Sequence, residues 1–291
     1  MTTSSLTNDQ IEFYSANGYL GVDSVITPQE IAELRRVTDE FIEKSRQVTE
    51  SDDCFDLEPG HTPDAPRLRR IKLAANQHPA YNALLHSKPI LDIVAQLIGN
   101  GIRTNGHKLN MKSAEFGSPV EWHQDFAFYP HTNDDLLAVG IPFDDMTEEN
   151  GCLLVLPESH KGPILSHHQD GFFVGAVTES DFSDTDAVPL EIPAGGISIH
   201  HARTLHGSAP NTSGQQRRLL LIQYCAIDAW PLLDFSGWDA FNAEIVRGEP
   251  TFTPRLTEIP VRVSLPRPEK QGSIYDYQSI LKKSSFDDPQ T

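Results

Sequence analysis

Cysteine is scarce. Cys54, Cys152 and Cys225 are the only three in 291 residues, and no two stand in C-x-x-C spacing. An odd number of widely separated thiols argues against a disulfide framework and against a zinc knuckle; it fits idle or buried thiols in a reducing compartment. Long apolar runs are missing as well. No stretch approaches the ~20 residues needed to cross a bilayer. The N-terminal MTTSSLTNDQ lacks the apolar segment of a secretory signal, and the final DDPQT matches no peroxisomal or ER address. Positive charge is short: 23 Lys and Arg face 41 Asp and Glu, for a net charge of −18. So anionic a surface repels nucleic acid and acidic lipid headgroups, and neither is expected as a partner. An anionic substrate would need a local basic patch. Repeats, low-complexity tracts and an interdomain linker are absent too. The expectation is a soluble, cytoplasmic protein of one domain that acts on a small molecule as a monomer or homodimer.

What is present divides into two textures. In TPQEIAELRRVTDEFIEKSR, Thr27 is placed to cap a helix, Pro28 to occupy its first position, and Glu30 to complete a capping box. Ile31, Leu34, Val37 and Phe41 then form one apolar stripe. A shorter helix is expected over Asp9–Asn17, stopped by Gly18, and another after Ser87, ended by Gly99 to Gly101. Residues 47–66 are acidic and rich in proline, as a loop would be. From residue 102 short alternating runs are broken by Gly, Pro and Asn: GHKLNMKS, VEWHQDFAFY, LLAVGIPFDD, GCLLVLP, AVPLEIPAGGISIHHA and RRLLLIQYCAI. Strands without intervening helices predict an antiparallel sandwich or barrel. The domain is thus expected to comprise a helical part (1–101), a β core (102–230) and an irregular C-terminal extension (231–291), with a short helix over Asp239–Arg247.

The tripeptide His-Gln-Asp occurs twice, at His123 and at His168. His123 and Asp125 lie in a strand-like run dense in aromatics, where positions i and i+2 share a face. A carboxylate in such surroundings calls for a metal or a cation. His168 and Asp170 lie in GPILSHHQDG, which has no period-two pattern and reads as a polar surface loop. Two histidines and one carboxylate on one face of a metal leave positions open, as in non-haem Fe(II) oxygenases. His206 is the candidate third ligand. Arg217 and Arg218 follow on a strand, and an arginine fork suits a carboxylate. His200 and His201 are set aside as core or surface histidines.

WHQDFAFYP, DLLAVGIPFDDMTEENGCLLVLPESHKG and HGSAPNTSGQQRR together resemble the phytanoyl-CoA dioxygenase family, closely over Gly106–Ala226 and loosely before it. The resemblance implies a double-stranded β-helix (jelly-roll) core in a mainly β, α+β chain with N-terminal helices packed on it. It implies Fe(II) and O2 chemistry with 2-oxoglutarate as cosubstrate. Iron would sit on His123, Asp125 and His206, and Arg217, aided by Ser208, would grip the distal carboxylate of 2-oxoglutarate; Arg218 is the alternative. Lys108 stands where the family commonly has a cosubstrate-binding methionine, and Arg69 where it has a basic residue near cosubstrate or substrate. Ile141 replaces a family tryptophan and is expected in the pocket wall. Asp125 itself argues against halogenation, since related halogenases lack that carboxylate. Phe126, Phe128, Tyr129 and Trp230 are candidate pocket residues. The implied activity is hydroxylation of an unactivated C–H bond with release of succinate and CO2. Desaturation, cyclisation or epoxidation could use the same oxidant, and a non-catalytic jelly-roll module or a cupin-type metal enzyme are the competing readings. Arg217, eleven residues after His206, separates the oxygenase from the cupin-type enzyme.

Overall fold

The structure is a computed structural model and describes residues 2–115, 117–270 and 273–286. The DDPQT segment, residues 287–291, lies outside the described residues. In chain order the helices are α1 (Asn8–Asn17), α2 (Pro28–Ser45), α3 (Ala74–Gln77), α4 (Pro79–Leu85), α5 (Lys88–Ile98), α6 (Trp238–Ala243) and α7 (Ile274–Gln278). The strands are β1 (Tyr19–Val22), β2 (Phe55–Leu57), β3 (Leu68–Lys72), β4 (Ile102–Lys112), β5 (Val120–His123), β6 (Leu136–Pro142), β7 (Leu153–Val155), β8 (His168–Gln169), β9 (Phe172–Phe173), β10 (Val188–Leu190), β11 (Ile197–His201), β12 (His206–Ser208), β13 (Arg217–Ala226) and β14 (Ile245–Arg247).

Two antiparallel sheets form the jelly-roll core. The larger runs β1-β11-β6-β13-β4-β3-β2, with β14 also on β4; the smaller runs β10-β7-β12-β5. Alternation along the larger sheet decides its two faces. Leu109, Met111, Val139, Ile141, Ile197, Ile199, Leu220 and Ile222 join Ile31, Leu34, Val37 and Phe41 of α2 and the apolar side chains of α4 and α5 in one core. Lys108, Asn110, Arg217, Leu219, Leu221, Gln223, Ala138 and His200 instead line a cavity between the sheets. Ile141 therefore packs under the helices and is not in the pocket wall, because its neighbour Gly140 takes the inward position opposite Leu221.

Local chemistry accounts for the helix ends. The Thr27–Glu30 capping box is closed in both directions, and Gly18 ends α1 in the left-handed region (φ 81°). Ser87 precedes α5 but its side chain makes no capping hydrogen bond. The helical part is less helical than expected: β1 pairs with β11, and β2 and β3 extend the sheet beyond β4. The 47–66 loop thus contains β2. Asp239–Arg247 holds α6 followed by β14, which the backbone of β4 captures as a strand. Among the described residues no helix is long and apolar enough to cross a membrane.

Candidate metal centre

β5 and β12 are adjacent, and His123 stands directly opposite His206 across them. Opposed residues in an antiparallel pair hold their Cβ atoms ~5 Å apart, so two imidazoles meet at the cavity. β5 ends at His123. The chain then turns through Gln124 into a 3-10 turn, Asp125–Ala127, so Asp125 reaches the cavity from a turn and not from a strand. Gln124, the middle of the motif, fixes that turn. Its amide donates to the carbonyls of Pro163 (3.1 Å) and Arg203 (2.9 Å), and its side-chain oxygen accepts from Leu165 N (2.9 Å).

One ligand atom from each of His123, Asp125 and His206 lies within 4.8 Å of the other two. His123 Nδ1 is 2.7 Å from the Glu121 carbonyl and His206 Nδ1 is 2.9 Å from the Thr204 carbonyl. A carbonyl only accepts, so Nδ1 carries the proton in both rings and each Nε2 keeps its lone pair for a metal. Burial pushes His123 down to about 4, against the pull of Asp125, and holds His206 well below the usual imidazole range. Burial pushes the Asp125 carboxyl up, but His200, His206 and His123 around it outweigh this and hold it well below the usual carboxylate range. Two neutral imidazoles and one carboxylate suit a divalent transition metal and leave one side of it open.

The cavity lies between the two sheets, walled by β4 and β13 on one side and by β5 and β12 on the other. Arg217 lies at one end, opposite Lys112 in the β13–β4 register, and Gln223 lies six residues farther along the same face. The Arg217 guanidinium is buried, its Nε has no partner, and its nearest polar contact is Ser208 Oγ at 3.5 Å. Burial pushes it down to about 10. Ser208 Oγ donates to the Gly151 carbonyl (2.9 Å) and accepts from Lys112 Nζ (2.6 Å). Arg218 points the other way, pairing with both oxygens of Asp144 (2.8 and 2.7 Å) and with Asp39 (2.8 Å).

Lys108 lines the cavity between Arg217 and Gln223. Arg69 does not: it pairs with Glu58 (2.9 Å), donates to Ser118 and lies 4.3 Å over the ring of Tyr275. A register irregularity at Asp56–Leu57 leaves Leu68 and Ile71 in the helical core and brings Arg70 to the cavity mouth. Phe128 and Tyr129 line that mouth. Phe126 does not, because the 3-10 turn carries it into a second core with Phe173 and Ala202. Trp230 stacks among Phe235, Trp238 and Phe241, away from the cavity. The second His-Gln-Asp forms the hairpin β8–β9, with exposed Asp170 paired to Lys282 (2.6 Å). Its neighbour His167 braces the first copy, accepting from Gln124 N through Nε2 (3.0 Å).

Among the lining residues without a sequence-based role are His200, Gln223, Ile274 and Tyr275. His200, set aside in the sequence, is buried with its Nε2 3.5 Å from Asp125 Oδ2. Gln223 donates to Asp125 Oδ2 (3.4 Å) and to the Tyr129 hydroxyl; period-two counting from Arg217 along β13 reaches it. Ile274 and Tyr275 arrive from the C-terminal segment, and no local pattern announces them.

A family model described as phytanoyl-CoA dioxygenase (PhyH) matches residues 14–219. A protein of Stutzerimonas stutzeri named as a probable alpha-ketoglutarate-dependent hypophosphite dioxygenase is 34% identical over 284 residues, covering 96% of this chain and 99% of the relative. L-proline trans-4-hydroxylase of Streptomyces griseoviridis is 32% identical over 170 residues, covering 51% of this chain and 63% of the relative. Among solved structures, EvdO2 from Micromonospora carbonacea var. aurantiaca, complexed with 2-oxoglutarate, superposes with a TM-score of 0.62 at 24% identity, covering 80% of this chain and 96% of that one. This last likeness shows the fold.

Proposed function

The chain belongs to the phytanoyl-CoA dioxygenase family of Fe(II)- and 2-oxoglutarate-dependent oxygenases, and on that premise we propose that it hydroxylates an unactivated C–H bond of a small molecule. His123, Asp125 and His206 hold the iron. Arg217 carries the reading: a buried guanidinium with an unpartnered Nε shares one cavity with the three ligands. A buried cation without a counter-charge is costly, and a dicarboxylate reaching from Arg217 to the metal removes that cost. Ser208 supports the same carboxylate. When bound, iron and 2-oxoglutarate supply the oxidant, consuming O2 and releasing succinate and CO2 as a hydroxyl is placed on the substrate.

The protein's own part is positional. The Glu121 and Thr204 carbonyls orient the two imidazoles. Ile274 and Tyr275 roof the cavity and exclude water. The substrates named for two relatives, hypophosphite and L-proline, are both small, which supports a small substrate over an acyl-CoA. The three cysteines are free, which supports a reducing, cytoplasmic setting for one oxygenase unit.

Succinate release from 2-oxoglutarate with added Fe(II) tests the assignment. Asp125→Ala is expected to abolish it, and Asp170→Ala to leave it near wild type. The reverse result would falsify the ligand set.

A further inference from the structure

Beyond the ligand cluster, on the side away from Arg217, the cavity opens into a chamber lined by Lys108, Arg70, Gln223, Tyr129, Phe128 and Ser273 among others. Its charge is unbalanced. A divalent ion offset by Asp125, together with Arg217, is matched by the two carboxylates of 2-oxoglutarate. Lys112 is engaged by Ser208 and the Ala209 carbonyl. Lys108 is left over: among the described residues its ammonium has no hydrogen bond and no ion pair, although it faces the interior. Arg70, which lines the same chamber, and Lys72 both pair with Asp56 (2.6 and 2.9 Å). His200 is 2% exposed and neither ring nitrogen makes a hydrogen bond. Lys108, His200 and the Gln223 amide all line the cavity beside the metal cluster. A half-buried ammonium without an ion pair, facing a cavity beside a side-chain amide, is suited to an anion.

We propose that this chamber binds the substrate through an oxyanion group, a phosphorus oxyanion or a carboxylate, held by Lys108 with Gln223 beside it and Arg70 behind it. The substrate class is a small anion, and Lys108 serves the substrate, not the cosubstrate. This rests on the oxygenase reading above.

The test uses full-length protein with Fe(II) and saturating 2-oxoglutarate, without oxygen. The visible charge-transfer band that requires both additions reports the cosubstrate. Methylphosphonate, propionate and the uncharged propan-1-ol are then titrated in, following the band and the heat of binding. At least one anion should bind and perturb the band, and propan-1-ol should not. Methylphosphonate alone would name a phosphorus oxyanion; propionate alone, a carboxylate. In Lys108→Met the anion should bind about tenfold or more weakly, a loss of ~1.4 kcal/mol, while the 2-oxoglutarate midpoint stays in place; Lys108→Arg should restore anion binding. A band with no anion response, or a Lys108→Met variant that loses 2-oxoglutarate instead, overturns the proposal. Absence of the band in wild type overturns the oxygenase reading and this site with it.

Discussion

Arg217 and Arg218 are sequence neighbours with opposite tasks, because successive residues of β13 face opposite sides of the sheet. Replacing Arg217 with Lys keeps a charge but removes the planar fork. The 2-oxoglutarate concentration at half-saturation should rise about tenfold, the equivalent of ~1.4 kcal/mol, as read from the anaerobic band. Arg218→Met should leave that midpoint alone. It strips Asp144 of a bidentate partner, and a broken, largely buried pair costs about 3 kcal/mol, to be seen as a lower denaturation midpoint. At this scale the sequence was informative where chemistry leaves a spacing. His-x-Asp and the arginine eleven residues after His206 needed no structure. Gln223 was within reach of the same alternation. His200 was not, because a histidine in an apolar strand reads alike whether it packs or faces a cavity. Arg69 and Arg70 could not be told apart, because the irregularity at Asp56–Leu57 depends on pairing with a distant strand.

Elements with strong local signals were the legible ones. The capping box of α2 is a case: Thr27→Ala should cost about 1 kcal/mol in a denaturant melt and nothing in cosubstrate binding. β12 was not legible. It is three residues long, lies in a turn-rich stretch, and exists because β5 and β7 pair with it on either side. The C-terminal segment likewise has no pattern of its own and is held by scattered contacts. Tyr275 lies under Arg69, Gln278 accepts from Glu121 N, and the Glu121 carboxylate accepts from the Ser284 hydroxyl and Ser285 N. Glu121→Ala removes one anchor. Limited proteolysis should then cut within 273–286 sooner than in wild type; an unchanged cutting rate would show that the anchor does not matter.

For the whole molecule, acid is the condition to examine. Burial pushes His131 down to about 4, and His167 and His201 down to about 3, from the ordinary imidazole value. Between those values and the unfolded pKa of ~6.5 the unfolded chain takes up protons that the native chain refuses. Stability must therefore fall as the pH drops from about 6.5 toward 4, and thermal melts in a pH series without metal should show it. A melting temperature that is flat over this window would contradict the burial of those rings. The molecule also divides in another way. The ligands, Arg217 and both sheets' inward faces up to Leu219 lie inside the matched stretch 14–219, whereas Ile274 and Tyr275 lie beyond it. The metal ligands and the cover thus come from different stretches of the chain. An engineer or a lineage can exchange the cover between relatives, retuning which molecules are admitted, without editing a residue that holds the metal.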